Sequence, residues 1–293
     1  MKYLSLFSGI GGFEVSINNV FPNAECLGFC EIDNVLSKFY QKKYPDHQAL
    51  GDVTLANFKP FKNKVDLIVA GFPCSDLSIM KQHRQNLEGE KSSLFSEIVR
   101  CIKECKPRYF LIENVARLPV DVHDKLNQAF GVNGIILDSN CCSGQNRKRM
   151  FWFNWPLKNI LLQQPDELLT FVSFLDSKKS VLALKLSEEK SKFYSDDPTS
   201  FRRIRHISDK NKSGTLTSYP SNVIIDKRFK PPMKRKFSIN EMEKLQTFPL
   251  NYTKELRYTK AEFGLKNAVT VNLVTAILQD LKKHLAKKRK DSK

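Results

Sequence analysis

Residues 3–14 read Tyr3-Leu4-Ser5-Leu6-Phe7-Ser8-Gly9-Ile10-Gly11-Gly12-Phe13-Glu14, a short apolar run followed directly by a glycine-rich turn. The run predicts a first strand, and the turn opens a helix. Glycines here permit a tight turn and let the backbone approach a ligand closely, while the first N–H groups of the helix can receive an anion. The stretch therefore favours an α/β fold with a ligand-binding turn, although such turns also serve as plain connections.

Strand and helix patterns alternate through the first half of the chain. The predicted strands are Tyr3–Phe7, Leu27–Glu31, Asp66–Gly71, Tyr109–Ile112, Gly134–Asp138 and Met150–Phe153, with helical stretches such as Ser93–Glu104 between them. This alternation predicts a largely parallel sheet with helices on both faces. We expect an α/β domain over 1–156, a small irregular basic region over 157–237, and C-terminal helices over 238–293 (Ile239–Phe248 and Val269–Leu285) that pack back onto the first domain.

The net charge of +17 comes from 48 Lys and Arg against 31 Asp and Glu. The excess is clustered in Arg202-Arg203-Ile204-Arg205, Lys227-Arg228-Phe229-Lys230 and Lys234-Arg235-Lys236. Clustered positive charge indicates a polyanion such as nucleic acid. A membrane surface fits less well, because no basic segment carries a long apolar helical face. A further cluster, Lys287–Lys290, is expected to be a frayed, solvated tail.

Sequence features also indicate the cellular localisation of the protein. The N-terminus runs straight into the glycine-rich turn and does not resemble a signal peptide, and no apolar run reaches the roughly 20 residues that span a bilayer. Seven cysteines form no framework with the spacing of a zinc site. We therefore predict reduced thiols, no metal site and a cytoplasmic protein.

One cysteine stands apart, in Gly71-Phe72-Pro73-Cys74-Ser75-Asp76-Leu77-Ser78. It follows the apolar run 65–70, a predicted buried strand, and so lies in the turn where open α/β folds place reactive groups. Proline stiffens that turn by fixing its own φ. By itself a Pro-Cys pair indicates little, because most cysteines of intracellular proteins are buried packing residues.

Two acids suggest what the glycine-rich turn binds. Glu31 ends the second predicted strand about 20 residues after the turn, a spacing typical of an acid that grips ribose hydroxyls. Asp52 lies in the loop region after the next predicted helix. Together they suit a nucleoside with an unphosphorylated ribose, and leave open a nicotinamide dinucleotide or S-adenosylmethionine. A dehydrogenase is excluded, since nothing beside the turn supplies a hydride-transfer site.

With these motifs in order, the chain resembles the cytosine-C5 methyltransferases. Phe7–Gly12 is similar to the family's cofactor loop, Pro73-Cys74 to its catalytic Pro-Cys, Glu113-Asn114-Val115 to its Glu-Asn-Val signature, and Gln145-Asn146-Arg147-Lys148-Arg149 to its Gln-x-Arg-x-Arg signature. Glu241 with Leu245-Gln246-Thr247-Phe248-Pro249 resembles the penultimate motif, and Asn267-Ala268-Val269 the last. The similarity covers the chain except about 157–213, the position of the family's variable target-recognition region.

The resemblance implies a Rossmann-like, S-adenosylmethionine-dependent methyltransferase sheet with a small target-recognition domain. Residues 1–156 then form the catalytic and cofactor-binding domain, and 157–237 the target-recognition region. Glu31 would bind the ribose and Asp52 the adenine. The implied cofactor residues are Phe7, Ser8, Gly9, Ile10, Gly11, Gly12, Glu31, Ile32, Asp52, Val53, Pro73, Asn267, Ala268 and Val269.

The implied reaction is methylation of C5 of cytosine in a short duplex DNA target. C5 is a poor nucleophile, so the Cys74 thiolate first adds to C6. Glu113 would hold N3 and the exocyclic amine, and Arg149 the O2 oxygen. Arg147 would support the loop or a phosphate. The base must be flipped out, because these atoms are not reachable inside a duplex.

Some features depart from the family or stay open. Ser75 stands where many bacterial members carry glutamine, in a Pro-Cys-Ser-Asp-Leu-Ser motif closer to that of the animal de novo DNA methyltransferases; Lys266 stands where glycine is usual. Arg202, Arg203 and Arg205 would contact DNA through bases or only through phosphates. Ser213-Gly214-Thr215-Leu216-Thr217 resembles the stretch that closes the recognition region.

Two alternative functions stand beside DNA methylation. The first is methylation of tRNA, although the Cys-Phe-Thr tripeptide of that branch is absent from the sequence. The second is a catalytically degenerate nucleic-acid-binding homologue, against which intact Cys74, Glu113 and Arg149 argue. For the main function we expect a monomer, encoded by a prokaryote or phage and associated with the nucleoid. A cognate restriction endonuclease is a candidate partner.

Overall fold

The computed structural model describes residues 1–73, 94–157, 175–181, 185, 205–206, 213–216 and 223–291. The chain divides into two compact units. Unit 1 contains the described residues within 1–137, 148–161 and 274–293, and unit 2 those within 138–147 and 162–273. The three-domain division with boundaries at 156 and 237 stays a prediction.

The strands and helices alternate along the first half of the chain. The strands are β1 (Lys2–Leu6), β2 (Glu25–Cys30), β3 (Ala49–Gly51), β4 (Leu67–Gly71), β5 (Tyr109–Val115), β6 (Ile135–Asp138), β7 (Gln145–Asn146), β8 (Lys148–Phe153), β9 (Arg205–His206), β10 (Ser213–Gly214), β11 (Val223–Asp226) and β12 (Met233–Lys236). The helices are α1 (Gly12–Val20), α2 (Asn34–Lys43), α3 (Phe95–Cys105), α4 (Val120–Phe130), α5 (Lys178–Val181), α6 (Ile239–Leu245), α7 (Tyr258–Asn267) and α8 (Val271–Asp291).

Unit 1 is built on a seven-stranded sheet of order β3-β2-β1-β4-β5-β8-β6. The pairs β1–β2, β2–β3, β1–β4 and β4–β5 are parallel, and β5–β8 is antiparallel. Its core is formed by the apolar side chains of β1, β4 and β5 with the inner face of α3, where Ile98, Cys101 and Cys105 are fully buried. The predicted α/β class with a mainly parallel sheet is confirmed.

The six predicted strands of the first half all form, with ends shifted by a few residues. Several short elements were not predicted: the strands β3 and β7, the helices α5 and α7, and the strands β9 to β12. Within 157–237, the region expected to be irregular, the described residues include strands of two to four residues and the four-residue helix α5. In that region β11 pairs antiparallel with β12 and parallel with β9.

The C-terminal basic cluster is helical, which corrects the expectation of a frayed tail. Helix α8 continues through Lys287–Lys290 to Asp291. Within unit 1 it is fixed at several points: Lys282 Nζ donates to the carbonyl of Val20 at 3.0 Å, and the His284 ring meets the Tyr109 ring edge-on at 6.0 Å. These contacts bind residues 274–291 to α1 and β5. No helix in the described ranges combines the length and apolar composition needed to cross a bilayer.

Unit 2 contains a buried ion-pair network in place of some of the expected basic surface. Arg235 is fully buried and pairs with Asp226 at 2.9 Å and with Glu241 at 2.8 Å. Arg228 also pairs with Asp226, at 2.6 Å. The expectation that these two basic clusters face a polyanion is thus wrong for Arg235, because it is fully buried and bound by carboxylates, whereas the side chain of Arg228 is 26% exposed. Ser238 and Glu241 form a capping box that starts α6.

Candidate active site and cofactor site

The glycine-rich turn has an unusual backbone. Phe7 (φ 56°), Gly9 (φ 56°) and Gly11 (φ 87°) all adopt positive φ, and α1 begins at Gly12. Positive φ carries no steric cost for glycine, so two of these three residues adopt it without strain. Among the described residues, apart from Gly9 and its two chain neighbours, no atom lies within 4 Å of the position that a β-carbon on Gly9 would occupy. Space is therefore open beside the turn, as a ligand approaching its backbone requires.

Glu31 is attached to this turn. Its Oε2 accepts from the Gly9 N–H at 2.8 Å, and its Oε1 accepts from the Asp33 N–H at 2.8 Å. Burial raises the pKa of Glu31, and these backbone hydrogen bonds offset some of that rise. A carboxylate has about four acceptor positions, more than these backbone bonds use, so the oriented Glu31 side chain can also accept from a ligand hydroxyl. The neighbouring Ile32 side chain is 73% exposed and offers an apolar surface beside it.

Asp52 begins a tight turn over residues 52–56, which we call the Asp52 turn. The Asp52 Oδ1 accepts from the N–H and the hydroxyl of Thr54, both at 2.9 Å. The Val53 side chain is buried. The guanidinium of Arg100, on α3, donates to the backbone carbonyls of Val53 and Ala56. Sequence reasoning missed Arg100, because its spacing to Glu97 and Glu104 is typical of an exposed helix face.

The acids and the turn meet at one end of the parallel sheet. Burial raises the pKa of the Cys30 thiol at the end of β2 to about 12, and the charges of Asp52 and Glu31 add to that rise. Cys30 on β2 pairs in parallel with Gly51 on β3, so Glu31 and Asp52, the next residue of each segment, lie at the same end of the sheet. Their acceptor oxygens, the open space at Gly9 and the exposed Ile32 fit the nucleoside moiety of S-adenosylmethionine.

The structure brings two predicted catalytic side chains together. Glu113, near the end of β5, is 7% exposed, and its Oε1 lies 3.0 Å from the Arg149 Nε on β8. The antiparallel register pairs Val115 with Arg149, so Glu113 is the diagonal neighbour on the same face. On its other side β5 pairs with β4, where Gly71 is opposite Glu113. A β-carbon at Gly71 would lie 3.5 Å from the Glu113 Oε2, an ordinary van der Waals distance, so Gly71 directly adjoins this carboxylate.

Asn114 ties the chain that leads to the predicted nucleophile. Its Nδ2 donates to the Phe72 carbonyl at 3.1 Å, and its Oδ1 accepts from the Val115 N–H at 2.7 Å. It is 1% exposed. The backbone directly before Pro73 is thus fixed to the strand that carries Glu113. Sequence reasoning quoted Asn114 within a motif but gave it no role; Cys74 and Ser75 lie outside the described residues.

Arg147 has a different environment from Arg149. Its side chain is buried in unit 2, where Nη2 donates to the carbonyls of Lys266 and Ala268, each at 2.9 Å, and Nη1 to that of Leu216 at 3.3 Å. Of the two roles left open above, these contacts correspond to supporting a loop. The side chain has no solvent-facing surface with which to bind a phosphate.

Two glutamines complete this support within unit 2. Gln145 Nε2 donates to Gln246 Oε1 at 2.9 Å, and Gln246 Nε2 donates to the carbonyls of Leu265 and Ala268. With Arg147 they fix the turn that contains the predicted cofactor residues Asn267, Ala268 and Val269. Gln246 was quoted in a motif, yet its role was missed. Lys266, at the glycine position, forms an ion pair with Glu262 at 3.0 Å.

Few of the predicted DNA-contacting residues are described. Arg202 and Arg203 lie outside the described residues, and Arg205 lies in β9 opposite Ile224. The segment predicted to close the recognition region is better defined: β10 pairs in parallel with β7, and the Thr215 hydroxyl donates to the Asn146 carbonyl at 2.8 Å. It therefore adjoins the Gln-x-Arg-x-Arg motif within unit 2.

Comparison with protein families matches residues 1–154 and 173–283 to the C-5 cytosine-specific DNA methylases. The chain belongs to this family. The methyl donor of this family is S-adenosyl-L-methionine, the cofactor predicted from the motifs.

Individual relatives agree with this membership. The chain is 33% identical over 165 residues to the orphan methyltransferase M.SPRI of Bacillus phage SPR, covering 52% of this chain and 37% of that one. It thus spans little more than a third of that relative's length. It is 26% identical over 320 residues to the type II methyltransferase M1.ScrFI of Lactococcus lactis subsp. cremoris, covering 99% and 80% of the two chains. The fold is similar to that of S. pombe Dnmt2 methyltransferase, with a TM-score of 0.70, 15% identity, and coverage of 97% and 99%.

Proposed function

We propose that this chain is an S-adenosylmethionine-dependent DNA (cytosine-5)-methyltransferase acting on a short duplex target. The observation that carries the proposal is the Glu113–Arg149 pair on neighbouring strands, beside the backbone that leads into Pro73 and Cys74. A carboxyl group matches N3 and the exocyclic amine of cytosine, and a guanidinium matches O2. Membership of the C-5 cytosine-specific family supports the same choice of base.

In the proposed mechanism Cys74 begins the reaction. Its sulfur forms a bond to C6, and the C5=C6 electron pair moves to C5, which becomes enamine-like. Glu113 holds the proton that neutralises the developing charge at N3, while Arg149 holds O2. When bound, S-adenosylmethionine supplies the electrophilic methyl group that C5 requires. A solvent base then removes the C5 proton, the double bond re-forms, and the Cys74–C6 bond breaks. The cytosine has to be flipped out of the duplex for this contact.

The residues that would hold the cofactor are those of the sequence motifs. We propose Phe7–Gly12, Glu31 with Ile32, Asp52 with Val53, Pro73, and the turn formed by Asn267, Ala268 and Val269. Arg147 holds this last turn within unit 2, and on this proposal it is a positioning residue. The arrangement of Glu31 supports its role, since both carboxylate oxygens are oriented by backbone N–H groups.

The substrate side of the proposal rests on the sequence. Ser75, Arg202, Arg203 and Arg205 are the proposed DNA contacts, and a cytoplasmic monomer is the proposed form. The relatives M.SPRI and M1.ScrFI are respectively an orphan and a type II methyltransferase. A cognate restriction endonuclease is therefore a proposed partner only if this chain, like M1.ScrFI, is a type II methyltransferase.

The test uses purified protein with labelled S-adenosylmethionine, offered unmethylated duplex DNA and unmodified tRNA in parallel. We expect label in DNA alone, lost in Cys74→Ala and retained in the control Cys142→Ala. A duplex carrying 5-fluorocytosine should trap a covalent adduct with the wild type and with Cys142→Ala but not with Cys74→Ala, since C5 then has no proton to lose. Label in tRNA alone would move the function to RNA. Label in neither, with cofactor still bound, would identify a degenerate binder.

A further inference from the structure

We infer that Arg100 is a positioning residue of the cofactor site, acting through the backbone of the Asp52 turn. The inference rests on the proposed function, because only that function makes Asp52 a ligand of the cofactor. Arg100 lies on α3 and touches neither the glycine-rich turn nor any proposed reacting group in the described contacts. Its action would therefore be indirect.

The guanidinium binds the turn at two points. Nη2 donates to the Val53 carbonyl at 2.7 Å, and Nη1 donates to the Ala56 carbonyl at 3.0 Å. These carbonyls flank Thr54, whose N–H and hydroxyl orient the Asp52 carboxylate. Any shift of the turn would therefore change the direction of that carboxylate. Arg100 holds the turn from a helix more than 40 residues away in sequence, so it supplies a tertiary restraint that the turn's local bonds cannot.

Arg100 is itself held in place. Its Nε lies 2.7 Å from Glu97 Oε2, its Nη1 lies 3.4 Å from Glu104 Oε1, and its Cζ lies 4.9 Å from the centre of the buried Phe58 ring. Two carboxylates and an aromatic face fix the plane of the guanidinium. A planar fork with five N–H donors can then reach two carbonyls and two acids at once, which a lysine ammonium cannot.

The restraint predicts a specific effect. Without it, the Asp52 turn would sample other conformations, and the cofactor would have to order the turn on binding. Cofactor affinity should fall about tenfold or more, the effect of losing hydrogen bonds from a charged donor. Turnover at saturating cofactor and DNA should stay within about twofold, because Arg100 contacts no reacting atom.

The experiment compares Arg100→Met and Arg100→Lys with a matched control, Arg108→Met. Arg108 is 77% exposed and pairs with Asp66 at 3.7 Å, away from the turn. Calorimetric titration with S-adenosylhomocysteine gives the affinity, and amide hydrogen exchange of ligand-free protein reports on residues 54–56. We expect weaker binding and faster exchange in Arg100→Met, an intermediate result in Arg100→Lys, and no change in the control.

Several outcomes would overturn the inference. Equal affinity of Arg100→Met and wild type would do so while leaving the proposed function intact. Wild-type affinity in Arg100→Lys would show that charge alone suffices and that the two-carbonyl contact is irrelevant; this variant also serves if Arg100→Met does not fold. A wild-type protein that binds no S-adenosyl compound would overturn both this inference and the proposed function.

Discussion

Glu113 and Arg149 form a diagonal ion pair across β5 and β8, with 3.0 Å between the Glu113 Oε1 and the Arg149 Nε. The two groups proposed to hold the cytosine thus hold each other when no base is present. Entry of a base would exchange one ion pair for hydrogen bonds to the ring. The site therefore avoids keeping two unpaired charges away from water, an arrangement that would cost several kcal/mol per ion.

Replacing Glu113 by Gln should slow the chemical step without weakening DNA binding. The amide cannot supply the proton at N3, so we expect a single-turnover rate lower by on the order of 10²-fold or more. DNA affinity should change little. The control is Glu25→Gln, an exposed glutamate at the start of β2 that pairs with Lys2. If Glu113→Gln weakened only DNA affinity, Glu113 would be a structural residue.

Replacing Arg147 by Met should destabilise unit 2. The change removes the Arg147 donors from the carbonyls of Leu216 and Lys266, and leaves the Ala268 carbonyl with Gln246 Nε2 as its donor. We expect a loss of about 3 kcal/mol, typical when one partner of a buried charged contact is removed. Urea unfolding followed by circular dichroism measures it, and Arg257→Met, at an exposed position, is the matched control. A midpoint equal to wild type would show that water replaces the guanidinium.

Ionised Asp226 should stabilise the folded protein, and this contribution to the free energy of unfolding should be lost in acid. Burial raises the pKa of Asp226, but hydrogen bonds from Arg228 and Arg235 lower it by more, so its pKa in the folded state is below the ordinary value. Its stabilising effect is complete above an unfolded pKa of about 3.9 and disappears as pH falls through the folded pKa. The melting temperature of wild type should exceed that of Asp226→Asn at about pH 5–7, and the gap should close below about pH 4.

A constant gap between those melting curves from about pH 7 to about pH 3 would contradict the prediction. Asp46→Asn, at an exposed position, supplies the control, because it removes a carboxylate that no described salt bridge uses.

Glu14 should change the stability in the opposite direction, lowering it as the pH rises. It is fully buried in α1 and accepts from the Tyr40 hydroxyl at 2.8 Å. Burial raises its pKa, so folding favours the protonated form and stability falls as pH rises above an unfolded pKa of about 4.3. Glu14→Gln keeps an acceptor for Tyr40 and cannot ionise. Its melting temperature relative to wild type should increase with pH; parallel curves would refute the burial effect.

The sequence predicted the sheet of unit 1 well, because its strands are short apolar runs bounded by turns. Strand β3 was missed since Ala49–Gly51 contains only three residues, two of them exposed. Helix α7 was missed because its buried residues are Ala261, Gly264 and Leu265, two of them too small to mark an apolar stripe. The Val-Ile-Ile of β11 did carry a strand signal, hidden among flanking lysines and arginines.

The site was predictable where a motif supplied the chemistry, as for Glu113 and Arg149. It was not predictable where a side chain acts through backbone groups distant in sequence. Arg100, Arg147 and Arg235 all look like exposed positive charges in the sequence. Each is bound by carbonyls or carboxylates that only the tertiary fold brings near. Patterns of charge alone cannot distinguish an arginine that meets phosphate from one that ties loops together.

The route of the chain through unit 1 has a consequence for synthesis on the ribosome. Its sheet is complete once residue 153 has emerged, yet the helix that binds Val20 and Tyr109 is translated more than 100 residues later. Until then the nascent chain exposes the apolar surface that α8 covers, where Val274, Ile277 and Leu281 are fully buried in the finished protein. The N-terminal strands and helices therefore lack this packing partner until α8 has been synthesised. During that interval their exposed apolar surface can bind chaperones.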